Sequence, residues 1–112
     1  MKLKEVKEIL SAKTLCGDEK MDKEVLAACG CDLMSDVLAF VKDQALLLTG
    51  LINPQVVRTA EMMDMKAIVF VRGKIPAPEI IDLAKESGIV VMSTEQPLYL
   101  ACGMLYSKGL YK

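Results

Sequence analysis

Histidine and tryptophan are absent from this 112-residue chain, and the absence of histidine removes several kinds of chemistry. No Ser-His or Cys-His pair can form, so the usual activated hydroxyl and thiol nucleophiles are excluded. No imidazole is available as a general base or as a metal ligand. The segment "RGKIP" (72–76) has a Gly-Lys pair but lacks the spacing of a phosphate-binding loop, and no Gly-x-Gly-x-x-Gly pattern is present. The common nucleotide-hydrolysing and dinucleotide-binding designs are therefore excluded at the level of motifs.

An excess of charge of either sign is also lacking. Fourteen basic and fifteen acidic side chains leave a net charge of −1, so the chain carries no electrostatic footprint for nucleic acid or an anionic membrane. The apolar runs are far shorter than the roughly 20 residues that a membrane-spanning helix needs. The charged start "MKLKEVKEIL" is not typical of a signal peptide. We therefore expect a cytoplasmic protein with no membrane or nucleic-acid partner.

Cysteine is present at four positions, of which only Cys29 and Cys31 are close in sequence. In a cytoplasmic protein all four are expected to be reduced thiols. A structural zinc or iron–sulfur site needs about four soft ligands, usually in Cys-x-x-Cys pairs, whereas Cys16 and Cys102 are isolated. We therefore predict no metal site and no cofactor, and interpret the cysteines as small buried hydrophobes. A redox role for the Cys-Gly-Cys pair stays open.

The first 41 residues predict two helices separated by two extended segments. Apolar side chains recur at helical spacing over 2–10 and again over 33–41. Thr14–Cys16 is expected to be extended, and Val25–Cys29 is interpreted as a strand because it has no clear helical period and Gly30 breaks it. Asp32 or Ser35 is the expected cap of the second helix.

From residue 46 onwards the chain repeats one unit three times. The segments "LLLTGLINP", "IVFVRGKIP" and "IVVMSTEQP" begin at residues 46, 68 and 89, and each has a proline at its ninth position. Each reads as an apolar strand, a short turn and a helix that begins at Pro54, Pro76 or Pro97, because proline fits the first helical turn. Such units indicate an α/β fold with a mainly parallel sheet buried on both faces. We interpret residues 1–112 as a single domain.

The strand-to-helix turns form the candidate site. Right-handed crossovers bring these turns to one edge of the sheet, where ligands of open α/β sheets bind. Converging helix N-termini favour an anion, and Arg72 and Lys74 would supply full charge. Glu79 and Glu95 argue against an anion, because they can satisfy the helix dipoles themselves. The candidate ligand-binding residues are Thr49, Gly50, Asn53, Arg72, Gly73, Ser93 and Thr94.

The run "ACGCDLMSDVLAFVKDQALLLTGLINPQVVRTAEMMDMKAIVFVRGKIP" (28–76) resembles the small stand-alone DRTGG-domain proteins of bacteria, and the similarity extends over nearly the whole chain. The family's loop signature differs here, because Val71-Arg72-Gly73 stands in place of Thr-Gly-Gly. The resemblance implies a three-layer α/β/α fold like the N-terminal domain of HPr kinase. It also implies an accessory or regulatory module that often self-associates, with no catalytic residues to carry over.

Two functions remain open on these grounds. The first is a non-catalytic regulatory or protein-interaction module, acting as a homodimer or on another protein. Its support is the 53% apolar content and the eight methionines, although methionine also fills irregular core gaps. The methionines that could share one apolar surface are Met34, Met62, Met63, Met65 and Met104.

The second function is a sensor that binds a nucleotide or another phosphate-containing small molecule at the strand-to-helix turns. We call the edge of the sheet formed by these turns the loop edge. An enzyme that uses the carboxylates of Asp32, Asp36 and Asp43 is disfavoured. Acid–base catalysis needs carboxyl groups whose pKa values are pushed apart. Asp32 and Asp36, the closest pair in sequence, are explained without catalysis as a helix cap and a solvated acid. We expect no catalysis.

Overall fold

The computed structural model describes residues 1–112 and places five strands and five α-helices in three layers. The strands are β1 (Lys13–Cys16), β2 (Ala27–Gly30), β3 (Ala45–Thr49), β4 (Ala67–Phe70) and β5 (Val90–Ser93). The helices are α1 (Leu3–Leu10), α2 (Met34–Phe40), α3 (Pro54–Met62), α4 (Pro78–Glu86) and α5 (Leu98–Ser107).

One sheet contains all five strands in the order β1-β5-β4-β3-β2. The strands β2 to β5 are parallel, and β1 pairs antiparallel with β5 at one edge. The predicted three-layer α/β/α fold with a mainly parallel sheet is confirmed.

Alternate residues of the central strands supply two separate cores. Leu46, Leu48 and Val69 face the layer formed by α1 and α5. Leu47 and Ile68 face the layer formed by α2, α3 and α4. Both faces are covered, so each central strand must be apolar at every position, which explains the uninterrupted runs in the sequence. The three crossover helices α2, α3 and α4 therefore lie on one face of the sheet, and the last helix, α5, packs on the other face together with α1.

The predicted helix starts are correct for α3 and wrong for the next two helices. Pro54 opens α3, as expected. The helix α4 begins at Pro78, and Pro76 is a buried residue of the preceding loop. Pro97 has extended backbone and precedes α5 as its N-cap. The helix α2 has Leu33 at its N-cap and no side-chain cap, so the expected cap by Asp32 or Ser35 is also wrong.

The methionines do not form one surface. Met34 and Met65 are buried on the α2–α3–α4 face of the sheet, and Met63 packs there partly buried. Met104 packs on the opposite face, and Met62 is 71% exposed. The prediction of a shared methionine patch is therefore wrong, because these side chains are divided between the two layers.

None of the helices combines the length and the apolar character that crossing a bilayer requires.

Candidate functional site

The carboxyl ends of the four parallel strands bring the predicted loops together at one edge of the sheet. Thr49 lies opposite Phe70 in the pairing of β3 with β4, and Phe70 lies opposite Ser93 in the pairing of β4 with β5. The turns after these strands are therefore neighbours, as the crossover rule requires. The turn after β2, which contains Asp32, lies beside the turn after β3, because β2 pairs with β3 at the end of the sheet.

Asp32 connects the turn after β2 to the turn after β3. Its Oδ1 atom accepts a hydrogen bond from the Thr49 hydroxyl at 2.8 Å and another from the Gly50 N–H at 2.8 Å. Thr49 is fully buried, and its hydroxyl oxygen also accepts a bond from the Leu51 N–H at 3.1 Å. The donors of this predicted anion-binding turn are thus already bound to an anion, which is the chain's own carboxylate.

The pKa of Asp32 lies below its ordinary value for the same reason. The Gly50 N–H has the largest effect, while the Thr49 hydroxyl and the positive charge of Arg72 act in the same direction, and partial burial opposes them. Each of these groups favours the ionised carboxylate over the neutral acid. Asp32 is therefore a permanently charged part of the edge near neutral pH.

The turns after β4 and β5 are closed on each other by their backbones. The Arg72 N–H donates to the Gln96 carbonyl at 2.9 Å, and the Gly73 N–H donates to the Thr94 carbonyl at 2.8 Å. Loops that leave for opposite faces of a sheet commonly form a ligand site between them, and here the loops after β4 and β5 leave for opposite faces, so their junction is the corresponding position. Two of its backbone donors are already used within the chain.

The turn Arg72-Gly73 has both residues in the left-handed region, with φ of 57° and 69°. This conformation is disfavoured for arginine and readily adopted by glycine. A Cβ atom at Gly73 would also collide with the Glu95 carboxylate, which lies directly against the glycine. The turn therefore places the backbone of residue 73 against an acidic side chain, which weakens an anion site at this point.

The remaining predicted site residues are mostly engaged in local structure. The Ser93 hydroxyl donates to the Lys74 carbonyl at 2.8 Å, and the buried Thr94 hydroxyl donates to the Leu10 carbonyl at 2.7 Å, at the end of α1. Asn53 is the N-cap residue of α3, yet its side chain makes no capping bond, and its buried Oδ1 atom has no hydrogen-bond partner. The Ser93 and Thr94 hydroxyls therefore fix the positions of their loops.

The exposed charges of the edge cancel. Arg72 and Lys74 are exposed, and so are the acids Asp32 and Glu95. Arg72 forms no salt bridge with Asp64 or Glu79, and the Asp64 carboxylate lies 3.9 Å from the Lys66 Nζ atom. The two cationic side chains of the edge are therefore exposed, and two exposed carboxylates balance their charge.

Asp32 and Gln96 are edge residues that the sequence analysis left out of the candidate site, and Glu95 was considered there only as a group that argues against an anion. Asp32 follows β2 closely, just as Gly50 follows β3. The residues that follow each predicted strand could therefore have included Asp32 among the site candidates. Glu95 stands at the same position after β5 as Asp32 does after β2, and Gln96 follows it. Their partners were not predictable, because the pairing of loops depends on the order of strands in the sheet.

The four cysteines are free thiols, and none is fully exposed or fully buried. Burial is the main reason that the pKa values of Cys16, Cys29 and Cys102 are raised, and a raised pKa lowers the fraction of reactive thiolate. No three His, Cys, Asp or Glu side chains are grouped in a way that could hold a metal ion.

A second surface lies on the exposed side of α5, the helix that follows the turn after β5. The helix has ten residues, "LYLACGMLYS", and none of them is charged. Ala101 and Leu105 are buried against the sheet, whereas Tyr99 is 86% exposed and Tyr106 is 61% exposed. An open groove of about 550 Å³ runs along this face around Gly103. We call the exposed side of the helix, formed by Tyr99, Leu100, Gly103, Tyr106 and Ser107, the α5 face.

The family model of the DRTGG domain matches residues 5–106. The chain belongs to the DRTGG family. The match covers every strand and helix described above except the first two residues of α1 and the last residue of α5. The resemblance found in the run 28–76 is thereby confirmed.

A solved structure similar to this DRTGG domain is the crystal structure of the CBS and DRTGG domains of the regulatory region of Clostridium perfringens pyrophosphatase, complexed with its activator, diadenosine tetraphosphate. The TM-score is 0.74 at 18% sequence identity. The similarity covers 93% of this chain and 45% of that one, so this chain spans less than half of that regulatory region. At this identity the comparison shows a shared fold. No curated protein sequence matches the chain.

Proposed function

We propose that this DRTGG domain is a non-catalytic regulatory module that acts through protein contacts, with a second copy of itself as its first partner. The observation that carries the proposal is the state of the loop edge. The Asp32 carboxylate holds the Thr49 hydroxyl and the Gly50 N–H, and the carbonyls of Thr94 and Gln96 take the N–H groups of the Arg72-Gly73 turn. A small anion would have to compete with each of these bonds.

The neighbouring fold supports a regulatory role. In the Clostridium perfringens pyrophosphatase, the DRTGG domain lies in the regulatory region together with CBS domains. The present chain offers an uncharged, exposed helix face and has no histidine for acid–base or nucleophilic chemistry. Contact with another protein would use the uncharged, exposed helix face and needs no reactive side chain.

A second candidate function is a sensor of a phosphate-containing small molecule. It is favoured by the activator in the neighbouring structure, which is a nucleotide with a chain of phosphates, and by the exposed Arg72 and Lys74 at the loop edge. In this case the phosphates would bind Arg72 and displace Asp32 from the turn after β3.

Thermal unfolding with added inorganic pyrophosphate, ATP or diadenosine tetraphosphate separates the two candidates. A ligand present at about 100 times its dissociation constant stabilises the native state by about 2.7 kcal/mol. We expect no saturable rise in Tm with any of the three compounds. Arg58→Ala is the matched control for Arg72→Ala, because Arg58 is the other arginine and is also exposed.

A saturable rise in Tm that persists in Arg58→Ala and disappears in Arg72→Ala would establish the sensor and contradict the first proposal. Light scattering over a series of protein concentrations tests self-association separately, since a chain that stays at 12.3 kDa throughout does not pair with itself.

A further inference from the structure

We propose that the α5 face is a two-fold contact surface for a second copy of this chain, with Gly103 at its centre. The inference rests on the self-association proposed above and names the surface responsible. It depends on three features of α5: the lack of charge, the notch at Gly103 and the exposed tyrosines around it.

The lack of charge sets α5 apart from the other long helices. The exposed positions of α1 include Lys4 and Glu5, those of α3 include Arg58, and those of α4 include Glu79 and Asp82. Helices at a protein surface normally carry such residues on their outer side, and a helix that is apolar all round is normally covered. In α5 both the buried and the exposed positions lack charge. The exposed side therefore has the character of a covered surface.

Gly103 makes a notch in the middle of that surface. Glycine is disfavoured inside a helix, yet no packing within the chain requires it here. Apart from its chain neighbours and the backbone of its own helix, no heavy atom lies within 4 Å of the position that its Cβ would occupy. Tyr99 lies one turn before it and Tyr106 nearly one turn after it, so the two rings flank a gap. A gap of this kind accepts a side chain from a facing helix.

A second copy supplies a side chain at the required place. In a two-fold contact the same surface is used by both partners. If two α5 helices cross at Gly103, the Tyr106 ring of each copy lies next to the notch of the other. Tyr106 is already held by an edge-to-face contact with Tyr111, with ring centroids 5.2 Å apart. A ring that is held before binding loses less conformational freedom when it binds.

The polar groups of the face do not oppose burial. The Ser107 hydroxyl donates to the Gly103 carbonyl within the helix, so it keeps its partner when water is excluded. The tyrosine hydroxyls lie at the ends of the rings and can remain at the rim of a contact. A charged peptide or nucleic acid finds no complementary charge on α5, whereas a second copy meets an identical uncharged surface.

The size of the face predicts a weak dimer. Tyr99, Tyr106 and Tyr111 are 86%, 61% and 67% exposed, and Leu100 is 49% exposed. At about 150 Å² for each exposed tyrosine, these four side chains offer roughly 500 Å². A standard interface buries about 800 Å² on each partner, and smaller ones are transient. We therefore expect a dimer that dissociates on dilution in the micromolar range.

Sedimentation velocity of the full chain from about 1 µM to about 1 mM, the range in which small interfaces dissociate, tests the proposal. The wild type should shift from 12.3 kDa towards twice that mass as its concentration rises. Tyr106→Glu and Gly103→Gln should each raise the dissociation constant at least about tenfold, because a charge or a larger side chain then occupies the centre of the contact. Met62→Glu is the matched control, since Met62 is 71% exposed on α3, and it should leave the dissociation constant unchanged.

The fold of each variant is checked by its thermal melting at low concentration. Gly103→Gln should melt no lower than the wild type, since the new side chain enters open space. A wild-type dimer that neither α5 variant weakens would overturn the α5 contact and leave the proposed self-association standing. A wild type that stays at 12.3 kDa at every concentration would overturn both.

Discussion

Asp32 occupies the place in the loop edge that a bound anion would take. Its carboxylate is held by one hydroxyl and one backbone N–H of the turn after β3. The same two donors in an empty turn would attract phosphate. One side chain therefore decides whether this edge is a ready anion site or a structural clamp between two loops.

Asp32→Asn should lower the free energy of unfolding at pH 7 by about 1 kcal/mol. Hydrogen bonds to charged groups contribute about 1.5–3 kcal/mol, and the value is reduced here because the side chain is exposed and screened by solvent. Urea denaturation of both proteins measures the difference.

The pH dependence gives a sharper test of the same clamp. The pKa of Asp32 in the folded protein lies below its ordinary value of 3.8. A lowered pKa means that the stabilisation is fully present above that ordinary value and is lost as the pH falls through the folded pKa. The wild type and Asp32→Asn should therefore converge in stability as the pH falls below 3.8 and through the lowered pKa of the folded protein. A difference that stays constant from pH 7 to pH 2 would contradict the clamp.

Arg72→Ala should change Tm by no more than about 4 °C, because an exposed charge pair typically contributes about 0–1 kcal/mol. It should also raise the pKa of Asp32, since the positive charge of Arg72 helps to lower it. The chemical shift of the Asp32 side-chain carbon, followed through a pH titration, measures this. Arg58→Ala should leave that titration unchanged, and an equal effect of the two substitutions would contradict the proposed neighbourhood of Arg72 and Asp32.

At the scale of elements, the contact of α5 with β2 depends on a residue without a side chain. A Cβ atom at Gly30 would overlap the Cys102 sulfur, which packs directly over that strand position. The sequence predicted Gly30 as the breaker of β2, whereas the structure has it as the last residue of the strand. Close approach of a helix to the strand is the reason for the glycine.

Gly30→Ala should destabilise the protein by about 1–3 kcal/mol, as overpacked cores do. Adding Cys102→Ala should recover much of that loss, because it removes the atom with which the new methyl group collides. A double-mutant cycle by urea denaturation measures the coupling. Gly103→Ala is the control, because Gly103 lies beside Cys102 on α5. It should not destabilise the monomer, since the new Cβ meets no atom packed against the helix. Simple additivity of Gly30→Ala and Cys102→Ala would contradict the contact.

The helix starts illustrate where a repeated sequence pattern misleads. All three units have a proline at the ninth position, yet only Pro54 begins a helix. After β4 the chain first makes the Arg72-Gly73 turn, so the helix begins two residues later, at a second proline, Pro78. Proline is compatible with both an extended loop and a first helical turn, and the sequence offers no way to choose between Pro76 and Pro78.

At the scale of the whole molecule, the apolar strands determine the fold. Val69 is fully buried in β4, with β3 and β5 on either side. Val69→Asp should prevent folding, because an unpaired buried charge costs several kcal/mol, comparable to the whole stability of a small domain. Far-ultraviolet circular dichroism of the purified variant checks this. A cooperative, native-like melting curve would contradict a sheet that is buried on both faces.

The sequence was sufficient for the α/β class and for the five strands, because fully covered strands need continuous apolar runs that are visible without a structure. It was also sufficient to predict that Thr49, Arg72 and Ser93 lie at one edge of the sheet. It could not give the partner of Asp32, since a hydrogen bond between two loops depends on the order of strands. Nor could it divide the methionines between the two layers, because that depends on the face to which each helix crosses.

The most direct test of the account is a dilution series of amide ¹H–¹⁵N spectra of the wild-type protein. Self-association through the α5 face predicts concentration-dependent shifts at residues 99–107 and at Tyr111, while the amides of Gly50, Arg72 and Gly73, which are bonded within the chain, stay in place. Spectra that do not change with concentration, or changes confined to the loop edge, would contradict it.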